Sequence, residues 1–312
     1  MNVAFIILTY ERPNITKECI QTLFNNTKIK PKEVYILDDG SNPNMRQSLL
    51  NFSIEHSAHI PINFYSNGRN KGVGYQFETA YKIADSLEDI DVVCFIEADY
   101  IWRKGWLEDV LAVFEASPQT IAIAGTDHPD MDDRTKTHGE FCKLMKDQFG
   151  SDLESRPYLY KPFVLGTTRG DIQVEGVSNS CGCQIIHWKR LKKILEHGDS
   201  KINSPYSTES YWLWLDRAFH KNNTGNRRHA SDAHMSGTLS MFAEFFMMKH
   251  CIDFTRNFGM LNICDYSISS HICGGHTSIN GKIVPEGQTF IISPSWKNEY
   301  LNIDPREKLE NQ

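Results

Sequence analysis

No apolar run near the start of this chain is longer than residues 3–8, far short of the roughly 18–20 residues that a membrane span demands. No basic segment precedes an apolar h-region, so a signal peptide is not expected either. These absences predict a cytoplasmic chain that folds from its first residues, with peripheral membrane contact still compatible. Clustered positive charge is also missing. The 33 basic and 39 acidic side chains give a net charge of −6, and no element carries the basic stripe that a nucleic-acid partner requires. Repeats and low-complexity linkers are absent, and 40% of the 312 residues are hydrophobic, which excludes a disordered chain. The eight cysteines lack the paired knuckles of a zinc site. Cys181 and Cys183 with His187 have the wrong spacing and no second half. The cysteines therefore read as packed thiols rather than a disulfide frame.

What is present is an alternation of apolar runs and amphipathic segments. Residues 3–8, 34–37, 62–65, 92–96 and 121–125 are short, β-branched and apolar, as strands covered on both faces should be. Between them, Ile15, Cys19, Ile20, Leu23 and Phe24 repeat at helical spacing, with Asn14 as the expected N-cap after Pro13. Phe77, Ala80, Tyr81, Ala84 and Leu87 form a second such face, and Leu107, Val110, Leu111 and Phe114 a third. This pattern predicts an α/β fold with a mixed, mainly parallel sheet flanked by helices. Beyond residue 126 the sequence is more irregular, with loops expected at 126–140 and 221–236, a helix over 241–254 and a strand over 262–272.

In such a fold ligands bind at the carboxyl ends of the strands, and three polar clusters lie there, at residues 9–12, 38–41 and 97–99. Glu97 and Asp99 flank Ala98 directly after an apolar strand. Oxygen ligands so placed suit Mg²⁺ or Mn²⁺, which leave positions for substrate phosphates. Asp38-Asp39-Gly40-Ser41 offers carboxylates that could accept hydrogen bonds from a pyrimidine or ribose, although Asp and Gly favour turns on their own account. A solvated turn is the competing account of either cluster. Gly72-Val73-Gly74 is no dinucleotide fingerprint, since it follows the third strand and lacks the third glycine.

Taken in order, Ile6-Ile7-Leu8-Thr9-Tyr10-Glu11-Arg12, Ile36-Leu37-Asp38-Asp39-Gly40-Ser41, residues 67–72 ahead of a helix, and Phe95-Ile96-Glu97-Ala98-Asp99 resemble the nucleotide-sugar half of the GT-A glycosyltransferases. The inverting family-two enzymes are the nearest resemblance, over about residues 1–125. It implies that Thr9, Glu11, Arg12 and Asp38, the first acid of the Asp-Asp-Gly-Ser turn, hold the base and ribose, with Tyr10 and Asp39 also in the nucleotide-sugar site, and that Asn70, Lys71 and Gly72 border the nucleotide and its phosphates. The family's Asp-x-Asp element falls on Glu97-Ala98-Asp99, with Asp99 the implied ligand of Mn²⁺ or Mg²⁺ and Glu97 nearer the ribose or a metal-bound water. Glu in place of the first Asp is a departure that changes reach without removing charge.

An inverting transfer also needs a general base for the acceptor hydroxyl. Two segments compete for that role. Ser207-Thr208-Glu209-Ser210-Tyr211-Trp212-Leu213-Trp214 resembles the family's Glu-Asp helix start, with Ser210 where the second acid belongs. Ala243-Glu244-Phe245-Phe246 opens the alternative helix. Each acid could instead be a helix-start carboxylate favoured by the macrodipole, and Trp212 and Trp214 could be core. The segment Ser270-His271-Ile272-Cys273-Gly274-Gly275-His276-Thr277-Ser278 resembles the family's closing motif, whose histidine implies a metal or diphosphate contact for His271. His229 and His234 are weaker candidates for such a ligand.

The expectation is therefore one GT-A-like domain over residues 1–285, with a nucleotide-sugar half (1–125), an acceptor half (126–285) and a tail (286–312). It would transfer a sugar from a UDP-, GDP- or dTDP-sugar to a glycan or glycolipid acceptor, without nucleic acid. Two other readings remain open on the sequence alone. A sugar-nucleotide nucleotidyltransferase would need a glycine-rich basic loop after the first strand, where residues 9–13 hold one arginine and no glycine. A catalytically silent binding module would fit the altered Glu-x-Asp and the missing acid at Ser210.

Overall fold

Val3–Thr9 forms strand β1, buried along its whole length, as its unbroken apolar run requires. The computed structural model describes residues 1–57, 60–124, 162–176, 183–199, 260–264, 269–271, 273–274, 278–279, 282–283 and 290–291. The chain divides into two compact units, Met1–Leu111 with Ser267–Gln312, and Ala112–Tyr266.

The first unit is built on β1, β2 (Glu33–Asp38), β3 (Ile62–Ser66) and β4 (Val92–Glu97), in the order β3-β2-β1-β4. All three pairings are parallel. Helices α1 (Pro13–Asn25), α2 (Pro43–His56) and α3 (Val73–Ser86) are the crossovers between them. The expected periodic faces are buried: Ile15, Cys19, Ile20 and Leu23 on α1, and Phe77, Ala80, Tyr81 and Ala84 on α3. Each large side chain so covered contributes about 1.5–3 kcal/mol. Two details differ from the sequence expectation. Helix α1 starts at Pro13, with Arg12 at the cap position and no side-chain cap, so Asn14 lies inside the first turn. Proline tolerates that first position because its missing N–H would have no partner there anyway. Helix α2 was not expected at all. Only Leu49, Phe52 and Ser53 are buried on it, a stripe too thin to show as a period, and it depends on Asn42, whose side chain accepts from Met45 N at 3.2 Å.

Strand β5 (Tyr100–Trp102) follows β4, then helix α4 (Trp106–Ala116). The end of α1 pins β5: Asn26 Nδ2 donates to Trp102 O at 2.6 Å, and Trp102 N donates to Thr22 Oγ1 at 3.2 Å. Trp102 and Trp106 pack with ring centroids 4.3 Å apart, and Phe5 lies 5.8 Å from Trp106.

The second unit contains β6 (Ala122–Ala124), β7 (Phe163–Thr167), β8 (Gly170–Gly176), β9 (Gln184–His187), α5 (Trp188–Asp199) and β10 (Met260–Ile263). Its pairings are mixed: β6 runs parallel to β10 and antiparallel to β9, while β8 is antiparallel to both β10 and β7. Arg190 on α5 closes the end of α4, donating to Phe114 O, Ser117 O and Thr120 O at 2.7–2.9 Å. The expected strand over 262–272 is two separate elements, β10 and, in the first unit, β11 (Ser269–His271). The expected helix over 241–254 lies outside the described residues.

Candidate active site

Parallel pairing in register brings the ends of the strands level. Thr9 is the register partner of Asp38, Leu8 of Glu97, and Asp38 of Ser66. Neighbouring strands are about 4.8 Å apart. The first, second and third polar clusters of the sequence therefore share one edge of the first unit.

The two adjacent aspartates at the end of β2 differ in their partners. Asp38, 1% exposed, accepts from Ser41 N and Ser41 Oγ, and from Ser66 Oγ at 2.7 Å. Asp39, 2% exposed, turns to the segment after β3. Its Oδ1 accepts from Asn67 Nδ2 and Lys71 N, both at 2.9 Å, and its Oδ2 from Gly72 N at 2.7 Å. Buried carboxylates are tolerated when hydrogen-bonded in this way. Gly40, which follows them, has φ +75°, and a Cβ there would sit 2.2 Å from the Arg69 carbonyl carbon. The Asp-Asp-Gly-Ser turn thus needs its glycine, because the 67–72 segment lies directly against it. Two backbone amides of that segment, at Lys71 and Gly72, are spent on Asp39. What Lys71 presents is its ammonium, 2.9 Å from Tyr75 Oη and 4.0 Å from the Tyr75 ring centroid. Asn70 is half-buried beside it.

The loop after β1 is tied inward. Thr9 Oγ1 and Thr16 Oγ1 share a buried hydrogen bond of 2.6 Å, and Tyr10 is half-buried. Glu11 has φ 56°, a left-handed conformation that costs a non-glycine residue roughly 1–2 kcal/mol. Its contacts hold it there: the carboxylate accepts from Asn42 N at 2.6 Å and Asn42 Nδ2 at 2.9 Å, and its own N–H donates to Ser41 Oγ at 2.8 Å. Glu11 therefore sits against the N-terminus of α2, where the helix dipole favours an anion.

At the end of β4, Glu97 is half-buried and Ala98 buried. Ala98 N donates to Leu8 O at 3.0 Å, which fixes the turn against β1. Asp99 Oδ2 is 3.0 Å from Arg12 Nη1, and the two side chains are 20% and 9% exposed. Antiparallel pairing of β11 with β5 sets His271 opposite Tyr100, so its backbone neighbours the residue after Asp99.

Among the described residues no group of three His, Cys, Asp or Glu side chains is assembled for a metal. Magnesium-type sites do not need one, since they take one or two carboxylates and complete the shell with waters and phosphates. Asp99 fits that role. Arg12 holds its Oδ2, and Oδ1 accepts no hydrogen bond from the described residues. Glu209, Glu244, Trp212, Trp214, His229, His234, Cys181 and Gly182 lie outside the described residues.

Two supporting residues, Gln76 and Ser66, escaped the sequence reading. Gln76, 5% exposed, donates from Nε2 to Thr9 O at 2.9 Å and Leu37 O at 2.8 Å, bridging the ends of β1 and β2. A lone amide beside Phe77 on an apolar helix face was the available signal. Ser66 completes Asp38 together with Ser41 of the 38–41 cluster, and a serine at a strand end carries no signal of its own. Of the thiols, Cys19 and Cys94 are fully buried, and burial pushes both well above the ordinary value. They are packed and unbridged, as expected.

A profile described as glycosyl transferase family 2 matches residues 4–180, more than half of the 312-residue chain. A glucosyl-dolichyl phosphate glucuronosyltransferase of Haloferax volcanii is 24% identical over 238 residues, covering 68% of this chain and 73% of that protein. An uncharacterized glycosyltransferase of Nostoc sp. is 26% identical over 135 residues, 43% of this chain and 39% of the relative. Among solved structures, residues 1–349 of S. aureus TarS in complex with UDP match at 19% identity and a TM-score of 0.34, over 40% of this chain and 35% of that one. A mannosyltransferase from Pyrobaculum calidifontis in complex with GDP-Man and Mn²⁺ matches at 13% identity and a TM-score of 0.42, over 68% and 52%. No helix among the described residues is long and apolar enough to cross a membrane.

Proposed function

Because the chain belongs to glycosyl transferase family 2, and is by that membership a glycosyltransferase of GT-A type, we propose that it catalyses an inverting, divalent-cation-assisted transfer from a nucleotide-diphosphate sugar to a hydroxyl acceptor. The observation that carries this reading is the strand-end register: Thr9 beside Asp38, and Leu8 beside Glu97. It gathers the polar residues of three loops along one edge. Family membership also sets aside the nucleotidyltransferase and the silent binding module.

The donor nucleotide lies along the ends of β1, β2 and β4. Asp38 is the acceptor for a base N–H, and Ser41 and Ser66 hold its carboxylate in place. Thr9, Tyr10, Glu11 and Arg12 form the wall on the other side, and Asp39 braces it by fixing residues 67–72 rather than by meeting the nucleotide. Lys71 supplies the ammonium nearest the phosphates, with Asn70 and Gly72 shaping the same border. Asp99, with Glu97 and His271, would hold Mn²⁺ or Mg²⁺, whose charge would stabilise the departing diphosphate. In the transfer itself the acceptor oxygen forms a bond to the anomeric carbon as the bond to the diphosphate oxygen breaks. The acceptor proton passes to a carboxylate, and Glu209 and Glu244 are the candidates. UDP-, GDP- and dTDP-sugars are the donor classes, and a glycan or glycolipid is the acceptor class. The lipid-linked sugar in the name of the Haloferax relative is compatible with the latter. A cytoplasmic location, with peripheral membrane contact, suits both substrates.

The test is nucleoside diphosphate release from a panel of sugar nucleotides with Mn²⁺ and mixed acceptors. Asp99→Ala should lower turnover at least a hundredfold in protein that remains folded by circular dichroism, its unfolding midpoint lowered only by the loss of Arg12's partner, and Asp38→Asn should raise the KM for the donor. Glu209→Gln and Glu244→Gln then separate the two base candidates, since only loss of the base lowers kcat with donor KM retained. Undiminished turnover in Asp99→Ala would remove the cation from the reading.

A further inference from the structure

We propose that Arg12 is a built-in competitor for the divalent cation at Asp99, so that the cation binds weakly until the guanidinium has another anion to meet. The inference rests on the assignment of Asp99 as the cation's ligand. It begins from one contact: Arg12 Nη1 lies 3.0 Å from Asp99 Oδ2, across 87 positions of sequence. Arg12 is 7% exposed overall, and its backbone is committed as well. Its carbonyl accepts from Thr16 N at 2.9 Å and Thr16 Oγ1 at 2.6 Å, the first turn of α1. The stem of the side chain therefore starts from a fixed point, and the guanidinium is delivered to Asp99 rather than swept through solvent.

The carboxylate is equally constrained. Ala98 is anchored to β1 through its N–H, and β5 is pinned by Thr22 and Asn26 at the end of α1. One helix thus holds both partners: its first turn carries Arg12 and its last turn braces the strand that follows Asp99. A cation bound through Oδ1 would lie within a few ångströms of a guanidinium held on Oδ2, and like charges so placed repel. Either the cation is weakened or Arg12 moves. A nucleotide diphosphate entering the site is an anion that a displaced guanidinium can take in a two-pronged contact. Cation and diphosphate then assist one another by linkage: whatever raises the affinity for one raises that for the other by the same factor. The sequence pattern alone assigns Arg12 only to the base and ribose. Its contact with Asp99 gives it a second role as a positioning residue.

The experiment measures Mn²⁺ binding to the full chain directly, by the electron paramagnetic resonance signal of free Mn²⁺, with and without UDP or GDP and with no acceptor or turnover. Removing the competitor in Arg12→Gln should tighten Mn²⁺ binding in the absence of nucleotide by about two- to fivefold, the range expected for a partly exposed ion pair. The same variant should shrink the tightening that nucleotide diphosphate produces in the wild type. Arg12→Lys, which restores the charge without the fork, should return the affinity toward wild type. Arg12→Met serves as a second neutral variant should Arg12→Gln fold poorly. Equal Mn²⁺ affinity in wild type, Arg12→Gln and Arg12→Met, with binding lost in Asp99→Asn, would overturn the competition while leaving the cation at Asp99. Mn²⁺ binding unaltered in Asp99→Asn would overturn both.

Discussion

Replacing Asp39 by Asn is the sharpest test of the division of labour between the two adjacent aspartates. The substitution is nearly isosteric, so it changes hydrogen bonding without opening a cavity. Asp39 receives three N–H groups, two on Oδ1 and one on Oδ2. An asparagine keeps the larger set by placing its oxygen toward Asn67 and Lys71. Its NH₂ group then faces the Gly72 N–H, donor against donor. Hydrogen bonds to a charged acceptor are worth about 1.5–3 kcal/mol each. Losing one, and weakening the other two by removal of the charge, amounts to about 3 kcal/mol. At 1.4 kcal/mol per factor of ten, the local opening of residues 67–72 should become roughly a hundredfold more frequent. Hydrogen–deuterium exchange of peptides covering these residues reads this directly at the Lys71 and Gly72 amides. Protection should fall there by that factor, with the β1 and β4 amides changed far less. Protection at Lys71 and Gly72 within threefold of wild type would refute the clamp. A uniform loss across all peptides would refute its local character.

Gly40→Ala should be more damaging than its size suggests, because the new Cβ meets the Arg69 backbone at 2.2 Å at a φ of +75°; a urea midpoint shifted by less than the equivalent of about 1 kcal/mol would contradict that close approach. Arg190→Gln should destabilise the second unit by about 2–4 kcal/mol, since three carbonyls at the end of α4 lose a shared donor, and calorimetric unfolding checks it. Burial lowers Arg190 only to about 10, so below pH 9 this loss should not vary with pH. Cys19 and Cys94 should stay unreactive toward a thiol-specific disulfide reagent at pH 8 in the native protein and react on unfolding. Because burial raises both above the ordinary 9.0, the folded thiols keep their protons where unfolded ones lose them, and their contribution to stability should decline as pH climbs past about 9.

The strands of the first unit were legible because a strand covered on both faces must be apolar at nearly every position, as residues 3–8 and 92–96 are. Helices α1 and α3 were legible because their buried faces are wide enough to repeat. Helix α2 was not: with two large apolar side chains buried, its existence depends on Asn42 capping its start and on Glu11 reaching across from another loop. The cap is a local contact, but the Glu11 contact spans 31 positions, and no short window of sequence contains it. The same holds for β5, a three-residue strand whose partner, β11, lies more than 160 positions further along the chain.

The candidate site divides in the same way. Local composition marked the strand ends, and motif order added the family and implied a base contact for Asp38, but neither showed what Asp39 does. Both are acids in one turn, and the difference arises from what β3 and the segment after it bring: a serine hydroxyl to the first, and three N–H groups to the second. Because side chains along a strand alternate in direction, consecutive residues leaving β2 face different neighbours. One carboxylate therefore stays with the serines at the strand ends, while the other is consumed in holding the adjacent loop. Arg12 follows the reverse logic. Its place after β1 associates it by resemblance with the nucleotide, yet its guanidinium donates to Asp99 after the end of another strand. A pairing across 87 positions follows from the order β2-β1-β4, in which β1 is the central strand. The sheet order thus decides which charges meet: it sets the guanidinium of a residue from the first loop on the carboxylate that follows β4.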